Sequence, residues 1–263
     1  MITSPSNAAI KAIRSLKQRK ERTARQVCFV EGIRLVGEAI QLGVTIEQLV
    51  VAPELLSSSF GHALVAQAAS AGVPRLEVSG EVFVALSGKD GPQGLGAVVR
   101  QRWESPESLR LDDAPGWIAL SSVADPGNLG TILRTADAVG ASGVILLDES
   151  TDPYDPAAIR ASMGALFAQR LVRTTFDAFA AWKRATGAYL LGTADSAGMD
   201  YQATTYPQPL VLLMGSERQG LPAEQQALCD LLVAIPMRGR SDSLNLAVAS
   251  GVMLYELLRQ RRG

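Results

Sequence analysis

Short apolar runs alternate with amphipathic stretches along most of the chain. Residues 3–26 are polar and basic, with Ile10, Ile13 and Leu16 at helical spacing. A strand is predicted at 27–30, a helix at 32–42, a buried strand at 49–51 and an alanine-rich helix at 58–71. A strand at 74–78, a short helix at 81–87 and a strand at 95–100 complete a first α/β unit. Residues 101–115 change character: Ser, Pro, Glu and Asp crowd RWESPESLRLDDAP, and the stretch reads as a linker. A second alternation begins at Trp117, with strands expected at 117–122, 143–147, 188–192, 209–214 and 231–235. Helices are expected at 128–140, 156–165, 176–186, 222–229 and 244–262. Continuous apolar runs at 144–147 and 210–214 suit strands covered on both faces. Periodicity alone therefore gives an α/β chain with a parallel, doubly wound sheet in its C-terminal half, and no internal repeats.

Composition narrows this picture without deciding it. The 263 residues are 47% hydrophobic, enough for one large core or two modest ones. The net charge of −1 hides an asymmetry, because residues 1–30 carry Lys11, Arg14, Lys17, Arg19, Lys20, Arg22 and Arg25 against the single acid Glu21. Cys28 and Cys229 are too few and too far apart for a disulfide framework or a zinc site. His62 is the only histidine, which argues against a histidine metal site or a catalytic triad; no metal is expected. No apolar run has signal-peptide or membrane-span character, so a cytoplasmic protein without a membrane partner is expected.

Three segments carry candidate chemistry. In the first, Asp125-Pro-Gly-Asn-Leu-Gly130 joins a strand to a helix, where open α/β sheets place ligands. Asn128 reads as the helix N-cap, and Arg134 lies about two turns further on. The ordinary alternative is a tight turn, a cap and a surface arginine. In the second, Met214-Gly-Ser-Glu-Arg-Gln-Gly220 is a polar loop with two glycines and the acid Glu217, after which Pro222 opens a helix. Glu217 is either a solvated loop acid or a group that orients an arginine. In the third, Ile235-Pro-Met-Arg-Gly-Arg-Ser-Asp-Ser243-Leu-Asn245 leads into a long apolar helix that Ser243 or Asp242 can cap. Asn245 in the first turn of that helix needs partners if buried. No GxGxxG fingerprint follows a strand.

Taken together, PGNLGTILRTADAVGASGVIL at 126–146, LLMGSERQGLP at 212–222 and IPMRGRSDSLNLAVASGVMLYE at 235–256 resemble the SpoU (TrmH-like) family of RNA 2′-O-ribose methyltransferases, in the SPOUT superfamily. DPYDPAAIRASMGALF at 152–167 is similar to that family's intermediate segment, and SPSNAAIKAIRSLKQRKER with FVEGIRLVGEA is similar to the L30e-like substrate-binding domain of many members. The resemblance implies a substrate-binding domain at 1–100, a linker at 101–115 and a methyltransferase domain at 116–263. It replaces the plain sheet with one carrying a deep trefoil knot, which ordinary topology rules disfavour. It implies S-adenosylmethionine as cofactor, held near Gly215, Ile235 and Leu244, with Thr193, Met214 and Met237 beside it. It implies Arg134 as the catalytic residue, with Asn128, Glu217, Ser243 and Asn245 orienting the arginine, the ribose and the loops. Asp242 stands where many members have Glu, a shorter carboxylate at the same place. RNA is the implied partner, ribosomal RNA of the 23S type ahead of tRNA, contacted by Lys11, Arg14, Lys17, Arg19, Lys20 and Arg22. A homodimer through the knotted domain is also implied, with helix 244–258 as candidate surface. The competing readings are a catalytically inactive RNA-binding module, a nicotinamide oxidoreductase and a base methyltransferase with a cysteine nucleophile. Intact motifs argue against the first, the missing glycine fingerprint against the second, and cysteines outside the three loops against the third.

Overall fold

The computed structural model describes residues 1–88, 90–111 and 116–262, the last by its backbone alone. The chain forms two compact units, Met1–Gln101 with Tyr154–Ala168, and Arg102–Pro153 with Gln169–Gly263.

In the first unit, α1 (Ala8–Arg14) runs through a 3-10 turn towards α2 (Arg19–Arg25). The Asn7 side chain caps α1 by accepting from Ala9 N–H. The basic stretch is thus two helices, broken where Gln18 takes an extended backbone (φ −91°, ψ 130°). There follow β1 (Val27–Glu31), α3 (Ile33–Gln41), β2 (Ile46–Val51), α4 (Ser59–Ser70), β3 (Arg75–Glu77), α5 (Gly80–Leu86) and β4 (Leu95–Arg100). The sheet order is β1-β4-β2-β3, with β4 antiparallel to both neighbours and β2 parallel to β3. Ile10, Ile13 and Leu16 pack with Val27, Val50, Val82, Phe83 and Val98 in its core. Each such buried side chain contributes about 1.5–3 kcal/mol.

The second unit starts with β5 (Trp117–Ser121), α6 (Pro126–Val139) and β6 (Gly143–Leu147). The chain then visits the first unit as α7 (Pro156–Ser162) and a 3-10 turn. It returns as β7 (Leu171–Thr174), α8 (Phe176–Thr186), β8 (Tyr189–Thr193), β9 (Leu210–Met214), α9 (Ala223–Leu228), β10 (Leu231–Val233) and α10 (Leu246–Arg262). The six strands are all parallel in the order β10-β8-β9-β5-β6-β7. Every residue of β5, β6 and β9 is buried, as two covered faces require. Helix α6 buries Leu129, Ile132, Leu133, Ala136 and Val139 at three- and four-residue spacing. After edge strand β10, the chain crosses back to the start of α6, and α10 packs along α6. That crossing runs past the carboxyl ends of β8 and β9, because all strands point the same way.

The structure departs from the sequence reading in three further places in the fold. Strand β7 was not predicted: four residues interrupted by Arg173 offer too little periodicity. Residues 102–111, read as linker, are fastened to the second unit. Glu104 bridges to Val172 on β7 and ion-pairs with Arg170, and Trp103 lies under the Arg173 guanidinium (4.3 Å). The remainder of that stretch, 112–115, lies outside the described residues. Arg22, read as an RNA contact, is 1% exposed. Its guanidinium donates to the Leu16 and Lys17 carbonyls (3.0 and 2.9 Å) and faces the Asp155 carboxylate (3.4 Å), so it is spent on structure.

Removing Arg22 strips the Leu16 and Lys17 carbonyls and the Asp155 carboxylate of this donor. Arg22→Ala is expected to cost about 2 kcal/mol, while Lys20→Ala on the exposed side of α2 stays within about 0.5 kcal/mol. Urea midpoints of the two variants against the parent chain check this.

Candidate active site

The three segments meet at the carboxyl ends of β5, β9 and β10, and one line of side chains joins them. Glu217, in the loop after β9, accepts from the backbone N–H groups of Ala124 and Asp125 (3.1 Å each) in the loop before α6. It also accepts from the Asn128 side-chain amide (3.1 Å). Asn128 in turn accepts from the Asn245 side-chain amide (3.0 Å). The Asn245 carbonyl oxygen accepts from Ala247 N–H and Val248 N–H (2.9 and 3.3 Å) at the start of α10. The direction of this relay is forced. An ionised carboxylate only accepts and a backbone N–H only donates, so both amides must point the same way.

Two sequence assignments change here. Asn128 is not the N-cap of α6; Asp125 is, its side chain accepting from Asn128 N–H (2.7 Å). Pro126 takes the first helical position, where its missing N–H costs nothing, and Asn128 is released to bridge loops. Asn245, rather than Ser243 or Asp242, caps α10, and those two side chains are exposed and outside the relay. The Asp-Pro-Gly start was the available signal for the Asp125 cap. Nothing in the sequence marks the Ala124 and Asp125 amides as partners of an acid ninety residues away.

The second loop is a tight hairpin in which Ser216 and Gly220 exchange backbone hydrogen bonds (3.1 Å each). A Cβ on Gly215 would stand 2.0 Å from the Gly220 carbonyl carbon, so only glycine fits there. Burial pushes the Glu217 carboxyl up, but the Ala124, Asn128 and Asp125 hydrogen bonds outweigh it and hold the carboxyl below the ordinary carboxylate range. In the third loop, among the described residues, 236–243 make no hydrogen bond to the rest of the chain. Their peptide groups are thus open to a ligand.

The remaining candidates surround these loops. Ile235 is half-buried, while Met237 and Leu244 are each 36% exposed and offer apolar surface. Met214 is buried, its sulfur accepting from the Thr193 hydroxyl (3.5 Å). Arg134 is exposed two turns along α6, and no described residue holds its guanidinium. Glu217 therefore orients loops rather than an arginine. Among the described residues no group of His, Cys, Asp and Glu is arranged to hold a metal ion, and no helix is long and apolar enough to cross a membrane. Lys11, Lys17, Arg19 and Lys20 are exposed on the first unit, and Arg14 is half-buried.

Residues 116–255, which contain all three loops, match the model of the SpoU rRNA methylase family. The chain belongs to that family. Residues 7–97 match the MRM3-like substrate binding domain. Among relatives, the chain is 30% identical to the 23S rRNA (guanosine(2553)-2′-O)-methyltransferase RlmP of Bacillus subtilis, over 97% of this chain and 98% of that one. It is also 30% identical to the 23S rRNA (uridine(2479)-2′-O)-methyltransferase of Streptomyces viridochromogenes, over 94% and 87% of the two chains. An AdoMet-bound rRNA methyltransferase from Sinorhizobium meliloti superposes with a TM-score of 0.90 at 39% identity, covering 98% of this chain and 97% of that one. The chain is thus an α/β SPOUT protein with a separate N-terminal unit.

The lowered Glu217 carboxyl sets the sign of a pH dependence. Its stabilising contribution is complete above the unfolded-state value of about 4.3 and is lost as pH falls through the lower folded-state value. The difference in urea midpoint between the parent chain and Glu217→Ala is therefore expected to be constant near neutrality and to shrink below about pH 4. Denaturation of both chains across pH 3 to 7 (about those limits) measures it.

Proposed function

We propose that the chain is an S-adenosylmethionine-dependent RNA methyltransferase that modifies a ribose 2′-hydroxyl in large-subunit ribosomal RNA. The observation that carries this is the relay from Glu217 through Asn128 to Asn245, which draws together three segments of the matched family domain. Ribosomal RNA is favoured over tRNA because the two relatives matched over nearly the full chain are named for 23S rRNA. Their names give guanosine in one and uridine in the other, so the target base does not follow from the family. The role places the protein with ribosomal RNA in the cytoplasm.

The loops fit the cofactor. Gly215 brings the backbone to the strand end without a side chain, Ile235, Met237 and Leu244 offer apolar walls, and 236–243 present unpaired peptide groups. A nucleoside with apolar and amide-like edges suits such a lining, with Met214 and Thr193 as its floor. Bound there, S-adenosylmethionine supplies an electrophilic methyl group.

The chain's own task is to present the ribose hydroxyl and stabilise the charge that develops. Arg134 is the group for this. It stands exposed on α6, the helix whose first turn Asn128 and Asp125 fix, and its guanidinium is free to take an RNA phosphate. An arginine stays protonated and is a poor base, so we assign it phosphate positioning and charge stabilisation. The hydroxyl proton passes to that phosphate or to solvent. Asn128, Glu217 and Asn245 set the loops, and Ser243 is left exposed towards substrate. Lys11, Arg14, Lys17, Arg19 and Lys20 neutralise RNA phosphates further out. The chain works as a homodimer with a knotted catalytic domain, the return crossing before α10 supplying the knot. Val248 and Tyr255, more than half exposed on α10, support a partner surface.

Arg134→Ala is expected to lower the rate of methyl transfer to ribosomal RNA by about a hundredfold or more while leaving cofactor affinity within about twofold. Transfer of labelled methyl groups and calorimetric titration of S-adenosylmethionine measure the two. Near-normal transfer would remove Arg134 from the mechanism.

A further inference from the structure

A cavity in the first unit is lined by no residue of the three catalytic loops. Its floor is apolar, built from Ile13, Leu16, Phe29, Leu35, Leu86 and Ile159, with buried Tyr154 beside them. The cavity is small and open, with about 50 Å³ enclosed, so a ligand seated on its floor extends out through the mouth. Arg14, Lys17 and Arg160 stand around it, and Glu31 is the one carboxylate among the lining residues. Glu31 is already engaged, accepting from the Ser87 hydroxyl and from Gly88 N–H (3.0 Å). The mouth is therefore left with positive charge and no free acid. The Nε of Arg14 is buried without a hydrogen-bond partner among the described residues, a donor that a ligand acceptor would satisfy.

We propose that this cavity holds one unstacked nucleotide of a single-stranded stretch of the RNA, its base against the apolar floor and its phosphate between Arg14, Lys17 and Arg160. This rests on the RNA-modifying reading above and adds a specific substrate contact to it. The apolar floor suits the flat faces of a base, and the cationic rim suits the phosphate attached to it. A duplex cannot enter, because its bases are stacked and paired. The exposed Lys11, Arg19 and Lys20 on α1 and α2 continue the positive charge along the same helices, giving the flanking backbone a track.

Gly88 gives a clean test. Its backbone is not left-handed, and an added Cβ meets only the Arg160 guanidinium at 3.5 Å, so Gly88→Phe fills the mouth without touching the backbone or altering charge. Fluorescence polarisation compares a short uridine-rich single strand with the same strand in an RNA duplex, for the parent chain, Gly88→Phe and Arg160→Gln. Gly88→Phe is expected to weaken single-strand binding about tenfold, to leave duplex binding unchanged and to keep the salt slope of the parent chain. Arg160→Gln is expected to weaken single-strand binding and to lower that slope by about one. Single-strand binding at the parent level in both variants overturns the proposal, as does an equal loss for single strand and duplex, which marks an unspecific charged face. Calorimetry with S-adenosylmethionine runs alongside. A parent chain that binds no cofactor sinks the methyltransferase reading, while the comparison of the two RNAs still decides the cavity.

Discussion

The site depends on one carboxylate. Glu217 sits in a loop of the second unit and accepts from three donors, two in the loop before α6 and one in its first turn, which it can satisfy together only while ionised. Because it accepts, Asn128 must donate to it. Because Asn128 donates with its nitrogen, its oxygen faces Asn245, and because Asn245 donates there, its own oxygen is left for the first N–H groups of α10. A single charge thus sets the orientation of two amides and the start of the last helix. Three segments, the first of them some ninety residues ahead of the second, become one surface. The arrangement suits an enzyme whose cofactor brings the reactive group, since the protein then has only to hold loops and place a charge.

Packing supplies the platform for this polar line. β5 and β9 are neighbours in the sheet, so the loops that follow them open side by side. β10 is at the edge, and the third loop has to travel across the strand ends to reach α6. The absence of hydrogen bonds along 236–243, among the described residues, follows from that crossing: the segment spans rather than packs. It is anchored at one end by β10 and at the other by Asn245. Gly215 lets the two arms of the middle loop close on each other, which is a backbone demand that no side chain can meet.

Much of this was legible in the sequence, and the misses share a cause. Elements with strong periodicity, such as β6, β9 and α6, were placed to within a residue or two. Strand β7 has only two apolar residues before Arg173 and Thr174 and is not legible, and residues 102–111 look like polar linker although Trp103 and Glu104 dock on that strand. Arg22 resembles its basic neighbours, and only tertiary contact with Asp155 and two carbonyls shows that it is interior. Asn128 and Asn245 were marked as important, but their roles were exchanged with simpler ones. The cap of α6 falls to Asp125 and the cap of α10 to Asn245. Local sequence reports what a residue is able to do within its own turn. It is silent on a partner that arrives from another strand end, and both the relay and the nucleotide cavity are made of such partners.

Under the proposed function, Glu217 and Asn245 act on the cofactor loops as one unit through Asn128, although no hydrogen bond joins the two directly. A double-mutant cycle on S-adenosylmethionine affinity, using Glu217→Ala, Asn245→Ala and the pair, reads this directly. The account predicts that the pair loses little more affinity than the worse single variant, because either change already breaks the line. Losses that add in full would show that the two residues hold their loops independently, and would contradict it.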